Sequence, residues 1–162
     1  MIQKMTLQDN FLLLTKLLND SFATVANDFS LTKENCPTNN AFITSEELKS
    51  QLTENIEFYS FNNSIAPVGF IAIERSSRDS GTFYIEKVAV HPDFRHKGIG
   101  EELMHFAESR IKTLGGNRIS IGLIDSNIRL KEWYEKQGYT TFETKSYEHL
   151  PFDVCMMEKA IA

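Results

Sequence analysis

A chain of 162 residues with 41% hydrophobic and 24% charged side chains has the length of one domain and an ordinary globular composition, which excludes a disordered or fibrous chain. Its net charge of -5 argues against nucleic acid as a partner, because affinity for a phosphate backbone needs many Lys and Arg on one face. Cys36 and Cys155 lie far apart without Cys/His metal spacing and read as reduced, buried thiols, so no metal is expected. The opening "MIQKMTLQDN" has no apolar signal core, and no apolar run nears the roughly 20 residues of a bilayer span, so the expected location is cytoplasmic with no membrane partner.

Thr6 and Asp9 have capping-box spacing, and "LQDNFLLLTKLLNDSF" predicts a first helix with one apolar face. "FSLTKENCPTNNAF" is a loop: it is rich in turn formers, and Pro37 disfavours helix at itself and at Cys36. Thr44 and Glu47 repeat the capping signature before a short second helix whose Leu48 and Leu52 share a face. "IEFYSF" and "VGFIAIE" form a hairpin across "NNSIAP". After the turn "SSRDSG", "TFYIEKVAV" is a third strand, on which alternation puts Tyr84, Glu86, Val88 and Val90 on one face. Leu103, Met104, Ala107, Ile111 and Leu114 mark a third helix, stopped by Gly115-Gly116. "RISIGLI" is a strand, "NIRLKEWYEKQ" a helix ended by Gly138, and "YTTFETKSY" and "DVCMMEKAI" are two closing strands around "EHLPF". The expected order is α, α, β, β, β, α, β, α, β, β in one domain over 1–162.

The junction "HPDFRHKGIGEEL" gathers cations and glycines where a strand turns into a helix. The first turn of a helix has N–H groups without intrahelical partners, and the helix dipole adds partial positive charge, so the place suits an anion. Gly98 and Gly100, beside Arg95, His96 and Lys97, let backbone approach a phosphate or pyrophosphate. Neither GxxxxGK followed by Ser or Thr nor GxGxxG occurs here; the pattern is RxxGxG.

"VAVHPDFRHKGIG" resembles the signature strand, proline turn and glycine loop of the GNAT superfamily of acyl-CoA-dependent N-acyltransferases. "DSNIRLKEWYEKQGY" resembles that family's Asn-initiated helix with an aromatic pair and a Gly-aromatic end. The resemblance implies an α/β (α+β) fold with a mixed, twisted central sheet, splayed between the "VAV" and "ISIGLI" strands, and helices on both faces. It implies acetyl-CoA as co-substrate, and transfer of the acetyl group to a primary amine by direct attack in a ternary complex. The backbone of Val88, Ala89 and Val90 would pair with the pantetheine arm, a β-augmentation. Backbone N–H groups of His96, Lys97, Gly98, Ile99, Gly100 and Glu101, beside Arg95, would hold the pyrophosphate, and Asn127 would contact the pantetheine. Tyr134, seven residues after Asn127, matches the tyrosine that sits near the thioester sulfur and protonates the leaving thiolate.

A lysine-type amine of pKa ~10.4 needs about 4.6 kcal/mol to be neutral at pH 7, whereas an α-amine near ~8 needs roughly 1 kcal/mol. A base matters most for the former. Some family members carry a glutamate where this chain has Gly122; Glu86 on the signature strand is the first candidate base here, with Asp125, His91 or a water chain left open as alternatives. Asp125 is expected to cap the Asn127 helix, His91 and His105 to be exposed, and His149 with "EHLPF" to form an acceptor-site wall. Trp133 should point to another side of its helix than Tyr134 and pack there. Because of Gly122, a non-catalytic acyl-CoA-binding sensor or regulatory module is the alternative reading. The acceptor may be read only as a small-molecule or peptide amine, and a homodimer through the closing strands is left open.

Overall fold

The computed structural model describes residues 1–161. The expected elements occur in the expected order: α1 (Phe11–Asp28), α2 (Ser45–Gln51), β2 (Ile56–Asn62), β3 (Pro67–Arg75), β4 (Thr82–Val90), α3 (Ile99–Thr113), β5 (Arg118–Ile124), α4 (Ile128–Glu135), β6 (Thr140–Ser146) and β7 (Asp153–Ala160). Two elements are new: strand β1 (Ile2–Lys4) ahead of α1, and a 3-10 turn at Pro92–Phe94. β1 is too short for alternation to announce it, and pairing of Ile2 with Phe61 and Lys4 with Tyr59 holds it extended.

Thr6 and Asp9 close a turn ahead of the first helix instead of capping it. The Thr6 N–H donates to Asp9 Oδ2 at 2.6 Å, while Asn10 Oδ1 accepts from Leu12 and Leu13 N–H at 3.1 and 3.2 Å and is the true N-cap. At Thr44 and Glu47 the capping box forms in full.

The sheet order is β1-β2-β3-β4-β5-β7-β6. All neighbours are antiparallel except β4 and β5, which are parallel and pair only at Thr82–Arg118, Phe83–Ile119 and Tyr84–Ser120. Beyond Tyr84 and Ser120 the two strands diverge, so the sheet is splayed between the expected strands.

Helices cover both faces. On one, α1 and α2 pack Leu14, Leu18 and Leu48 against Phe58, Phe70, Ala72 and Ala89. On the other, Leu103, Met104, Ala107 and Ile111 of α3 pack against Ile71, Ile73, Phe83, Ile85 and Ile119, with Tyr134 of α4 in the same cluster. Burial of such side chains is worth roughly 1.5 to 3 kcal/mol each, so the α3 stripe is a large part of what holds this face together. Arg110 of α3 adds a two-pronged bond to Glu57 of β2, at 2.9 and 2.8 Å.

The face assignment along β4 requires a correction. Ala72 pairs with Glu86 and Phe70 with Ala89, so Lys87 and Val88 together stand opposite the single residue Ile71. This is a β-bulge, with Lys87 at φ 55°. Alternation resets there: Val88 and Val90 join the α3 cluster, while Glu86 and Ala89 face α1. The four residues expected on one face are therefore divided between two.

A third cluster joins Ala26, Leu31, Cys36 and Ile124 to Leu150 and Phe152. The "EHLPF" segment thus packs against the loop that follows α1. Cys36 and Cys155 are both buried and free, as expected. No helix of the described residues is long and apolar enough to cross a membrane.

Candidate active site

The divergence of β4 and β5 leaves the β5-facing edge of β4 without a ladder partner past Tyr84. Backbone N–H and C=O groups on such an edge need partners, so the slot is predisposed to an extended ligand. Where the strands part, a cavity of about 390 Å³ opens, lined among others by Phe22, Asn40, Glu86, Lys87, Ser120 and Gly122. That volume lies toward the lower end of the ~300–1,000 Å³ typical of small-molecule sites.

Glu86 is the acidic side chain in this lining. Burial, first, and then a hydrogen bond and repulsion from the Glu74 carboxyl push its pKa up to about 7, with Lys87 pulling the other way. Glu74 of β3 pairs with Tyr84 of β4, diagonal to Glu86 and on the same face, which brings the two carboxyls together. Lys87 turns toward the same side, where Nζ donates to Asn40 Oδ1 at 2.7 Å. Burial lowers its pKa.

At the end of β4 the chain passes through the 3-10 turn into the glycine loop. His91 caps that turn, its Nδ1 accepting from Asp93 N–H at 3.2 Å, and its Nε2 lies 3.6 Å from Asp20. It is thus engaged outside the cavity lining. His96 and Gly98 take positive φ, 63° and 83°. Gly98 is the N-cap of α3, and no side chain caps the helix there. A Cβ on Gly98 would meet nothing, so its backbone conformation and not space calls for glycine. Gly100 is the opposite case: a Cβ there would stand 3.0 Å from the Trp133 ring. The indole, whose Nε1 donates to Glu101 Oε1 at 2.8 Å, therefore lies against the loop. Trp133 had been expected to pack away from the site; it braces it.

Arg95 does not turn toward the loop. Its Nε donates to Val90 O at 2.9 Å, and its two terminal nitrogens bond Thr24 Oγ1 and Ser21 O of α1 at 3.1 and 2.7 Å. The guanidinium thereby ties α1 to the end of β4. Backbone N–H groups of the first turn of α3, free of any side-chain cap, fit an anion.

On α4, Asn127 Oδ1 accepts from Leu130 N–H at 3.3 Å and caps the helix. Asp125 does not cap it; its Oδ1 accepts from Lys131 Nζ at 2.9 Å. Tyr134 is 7% exposed, edge-on between Trp133 and Tyr139 with ring centroids 5.0 and 5.8 Å away. Burial alone raises its pKa well above the ordinary phenol value. The phenol is therefore a protonated donor across the physiological range.

His105 and His149 are exposed, and the described residues hold no cluster of three or more metal-ligating side chains. The "EHLPF" segment, expected as an acceptor wall, is not among the residues lining the cavity; Phe22 and Asn40 supply that side. Sequence reading missed Phe22, Asn40, Glu74 and Lys87. Phe22 belongs to the apolar stripe of α1 and Asn40 to a run of turn formers, so neither carries a signal of its own. Lys87 was hidden by the assumption of strict alternation.

Residues 25–160 match the family described as acetyltransferase (GNAT) domain. An uncharacterized N-acetyltransferase in the pepI 3' region of Lactobacillus delbrueckii subsp. lactis is 28% identical over 64 residues, 40% of this chain and 37% of that protein. The match thus spans little more than a third of that curated relative. The ribosomal-protein-S18-alanine N-acetyltransferase of Escherichia coli superposes with a TM-score of 0.78 at 13% identity, covering 100% of this chain and 94% of that one. The PaiA N-acetyltransferase of Thermoplasma acidophilum, solved in complex with coenzyme A, gives a TM-score of 0.75 at 20% identity, with 99% and 98% coverage. The structural likenesses establish the fold, and the family match, running through both sequence blocks and both halves of the splayed sheet, establishes that the chain belongs to the GNAT acetyltransferase family.

Proposed function

We propose that the chain is a one-domain N-acetyltransferase that transfers the acetyl group of acetyl-CoA to a primary amine by direct attack in a ternary complex. The observation that carries this reading is the continuity of the slot. An unpaired strand edge on β4 runs into a helix N-terminus without a side-chain cap, with a buried, protonated Tyr134 on the neighbouring α4. Bound coenzyme A in the fold neighbour PaiA supports the same ligand here.

In this reading the backbone of Val88, Ala89 and Val90 pairs with the pantetheine arm, assisted by Asn127. The N–H groups from His96 to Glu101 hold the pyrophosphate, with Lys97 adding charge. Arg95, bonded to Thr24 and Ser21 of α1, fixes the loop's entry. A backbone N–H near Val88 steadies the acetyl oxygen as charge develops on it. Glu86 takes the proton of the incoming ammonium, directly or through water, and its pKa of about 7 suits a base working near neutrality. Tyr134 delivers a proton to the departing sulfur.

The test is release of free thiol from acetyl-CoA in the presence of a panel of primary amines, for the protein and its Tyr134→Phe variant. Amine-dependent release that falls in the variant supports transfer. Saturable acetyl-CoA binding without release from any amine would favour the non-catalytic sensor.

A further inference from the structure

The bulge in β4 puts two opposite charges side by side in the cavity lining. Strict alternation would have sent Lys87 into the apolar cluster beneath α3; the reset turns its ammonium to the α1 side, next to Glu86. The left-handed backbone that achieves this, φ 55° at Lys87, costs a residue with a Cβ about 1 to 2 kcal/mol. Yet Lys87 and Glu86 make no direct ion pair. Nζ donates instead to the neutral Asn40 Oδ1, and among the described residues no ion pair involves either Lys87 or Glu86. An ammonium carries three donors, and a partly buried charge calls for a counter-charge as well as a hydrogen bond. The cavity therefore presents an anion-seeking group, Lys87, beside the Glu86 carboxyl, which suits a cation.

We propose that the acceptor is a small amine carrying its own carboxylate, such as a free amino acid, with its ammonium at Glu86 and its carboxylate at Lys87, in a site completed by Asn40. This rests on the transferase reading above and names the acceptor class. The cavity of about 390 Å³, which the acceptor shares with the thioester end of the co-substrate, suits a small zwitterion. A plain alkylamine would satisfy Glu86 and leave Lys87 without a counter-charge. Specificity then follows from the unfavourable alternative as much as from the favourable one.

The discriminating experiment compares each L-amino acid with its own carboxamide as acceptor, by thiol release from acetyl-CoA, and includes simple alkylamines. The carboxamide has the same shape and the less basic amine, so chemistry alone favours it. Preference for the acid must come from the site. We expect at least one amino acid to exceed its amide in kcat/KM by roughly tenfold or more, the scale of a hydrogen-bonded charge pair. In Lys87→Gln that ratio should fall to within about twofold of unity through KM, and Lys87→Arg should retain the preference. Turnover of amides and alkylamines at least as fast as of the acids would overturn the acceptor assignment while leaving the transferase standing. The preference surviving in Lys87→Gln would overturn the role of Lys87. Thiol release with none of the three amine classes would remove both.

Discussion

Glu86 and Lys87 are consecutive in the chain and yet lie on the same side of the sheet, because the bulge opposite Ile71 resets the alternation between them. The acid keeps a proton near neutrality and the base is held by a neutral amide, so a strand that would otherwise divide its charges brings them to one cavity.

The first prediction concerns that acid. If Glu86 must be deprotonated to accept a proton, kcat/KM for the amine rises with pH through about 7. Glu86→Gln should lose this limb and at least about tenfold in rate. The sign for stability is opposite. The folded pKa is raised from 4.5 to about 7, so the native state retains a proton that the unfolded chain releases across that window. Stability falls as pH rises through the window, and Glu86→Gln should be more stable than the parent at pH 8 by about 1 to 2 kcal/mol in urea unfolding. Equal stability of the two proteins at pH 8 would contradict the burial of Glu86 beside Glu74.

Tyr134→Phe removes one oxygen from an almost fully enclosed ring and leaves both edge-on aromatic contacts in place. Turnover should drop by about 100-fold, the lower end of general acid catalysis, with coenzyme A affinity unchanged. Calorimetric titration alongside the thiol assay separates the two; parallel loss of binding would make Tyr134 a packing residue.

Gly98 and Gly100 should respond differently to alanine. At Gly98 the added methyl meets nothing but the backbone sits at φ 83°, so thermal unfolding should show a loss of about 1 to 2 kcal/mol. At Gly100 the methyl presses on the Trp133 ring, and the brace must shift. The expected signature is weaker coenzyme A binding together with a changed indole fluorescence, and the fluorescence change is what strain at Gly98 does not predict.

Glu57 anchors α3 to β2. Its carboxylate accepts from Arg110 at 2.9 and 2.8 Å, from Tyr59 at 2.7 Å and from Lys4 at 3.2 Å, and chiefly the Arg110 bonds hold its pKa down to about 2. A depressed carboxyl stabilises above the unfolded pKa of 4.5 and loses that contribution as pH falls toward 2. Glu57→Gln should therefore cost about 1 to 2 kcal/mol at pH 7, allowing for solvent screening, and the gap should close in acid. A pH-independent gap would assign the effect to packing.

The parts of the fold that were legible in the sequence are those written by local rules. The α3 stripe ends at paired glycines, and the box at Thr44 and Glu47 forms as spelled. The family and the splayed sheet were legible through the resemblance of two blocks. What the letters hid depends on partners distant in the chain. β1 exists because β2 is beside it. The cap of α1 falls on Asn10 and not on Thr6 because Thr6 and Asp9 close a turn of their own before the helix starts. The bulge carries no mark in "YIEKVAV", since lysine is not a residue that seeks positive φ, and only tertiary context can hold it there. Arg95 looked like a phosphate ligand because its neighbours did, while its true partners lie 71 and 74 residues earlier in the chain.

Among the described residues, the three-residue seam between β4 and β5 is the only ladder joining four strands to the other three. It is also where the described sheet should breathe first, with those amides of Ile85 to Val90 and Ile121 to Ile124 that face the split, and not the ones bonded to β3 or β7, exchanging fast with solvent deuterons. A ligand that lies in the slot as an extra strand would slow exchange on the β4 side. The seam would then report occupancy at single-residue resolution, without any turnover at all.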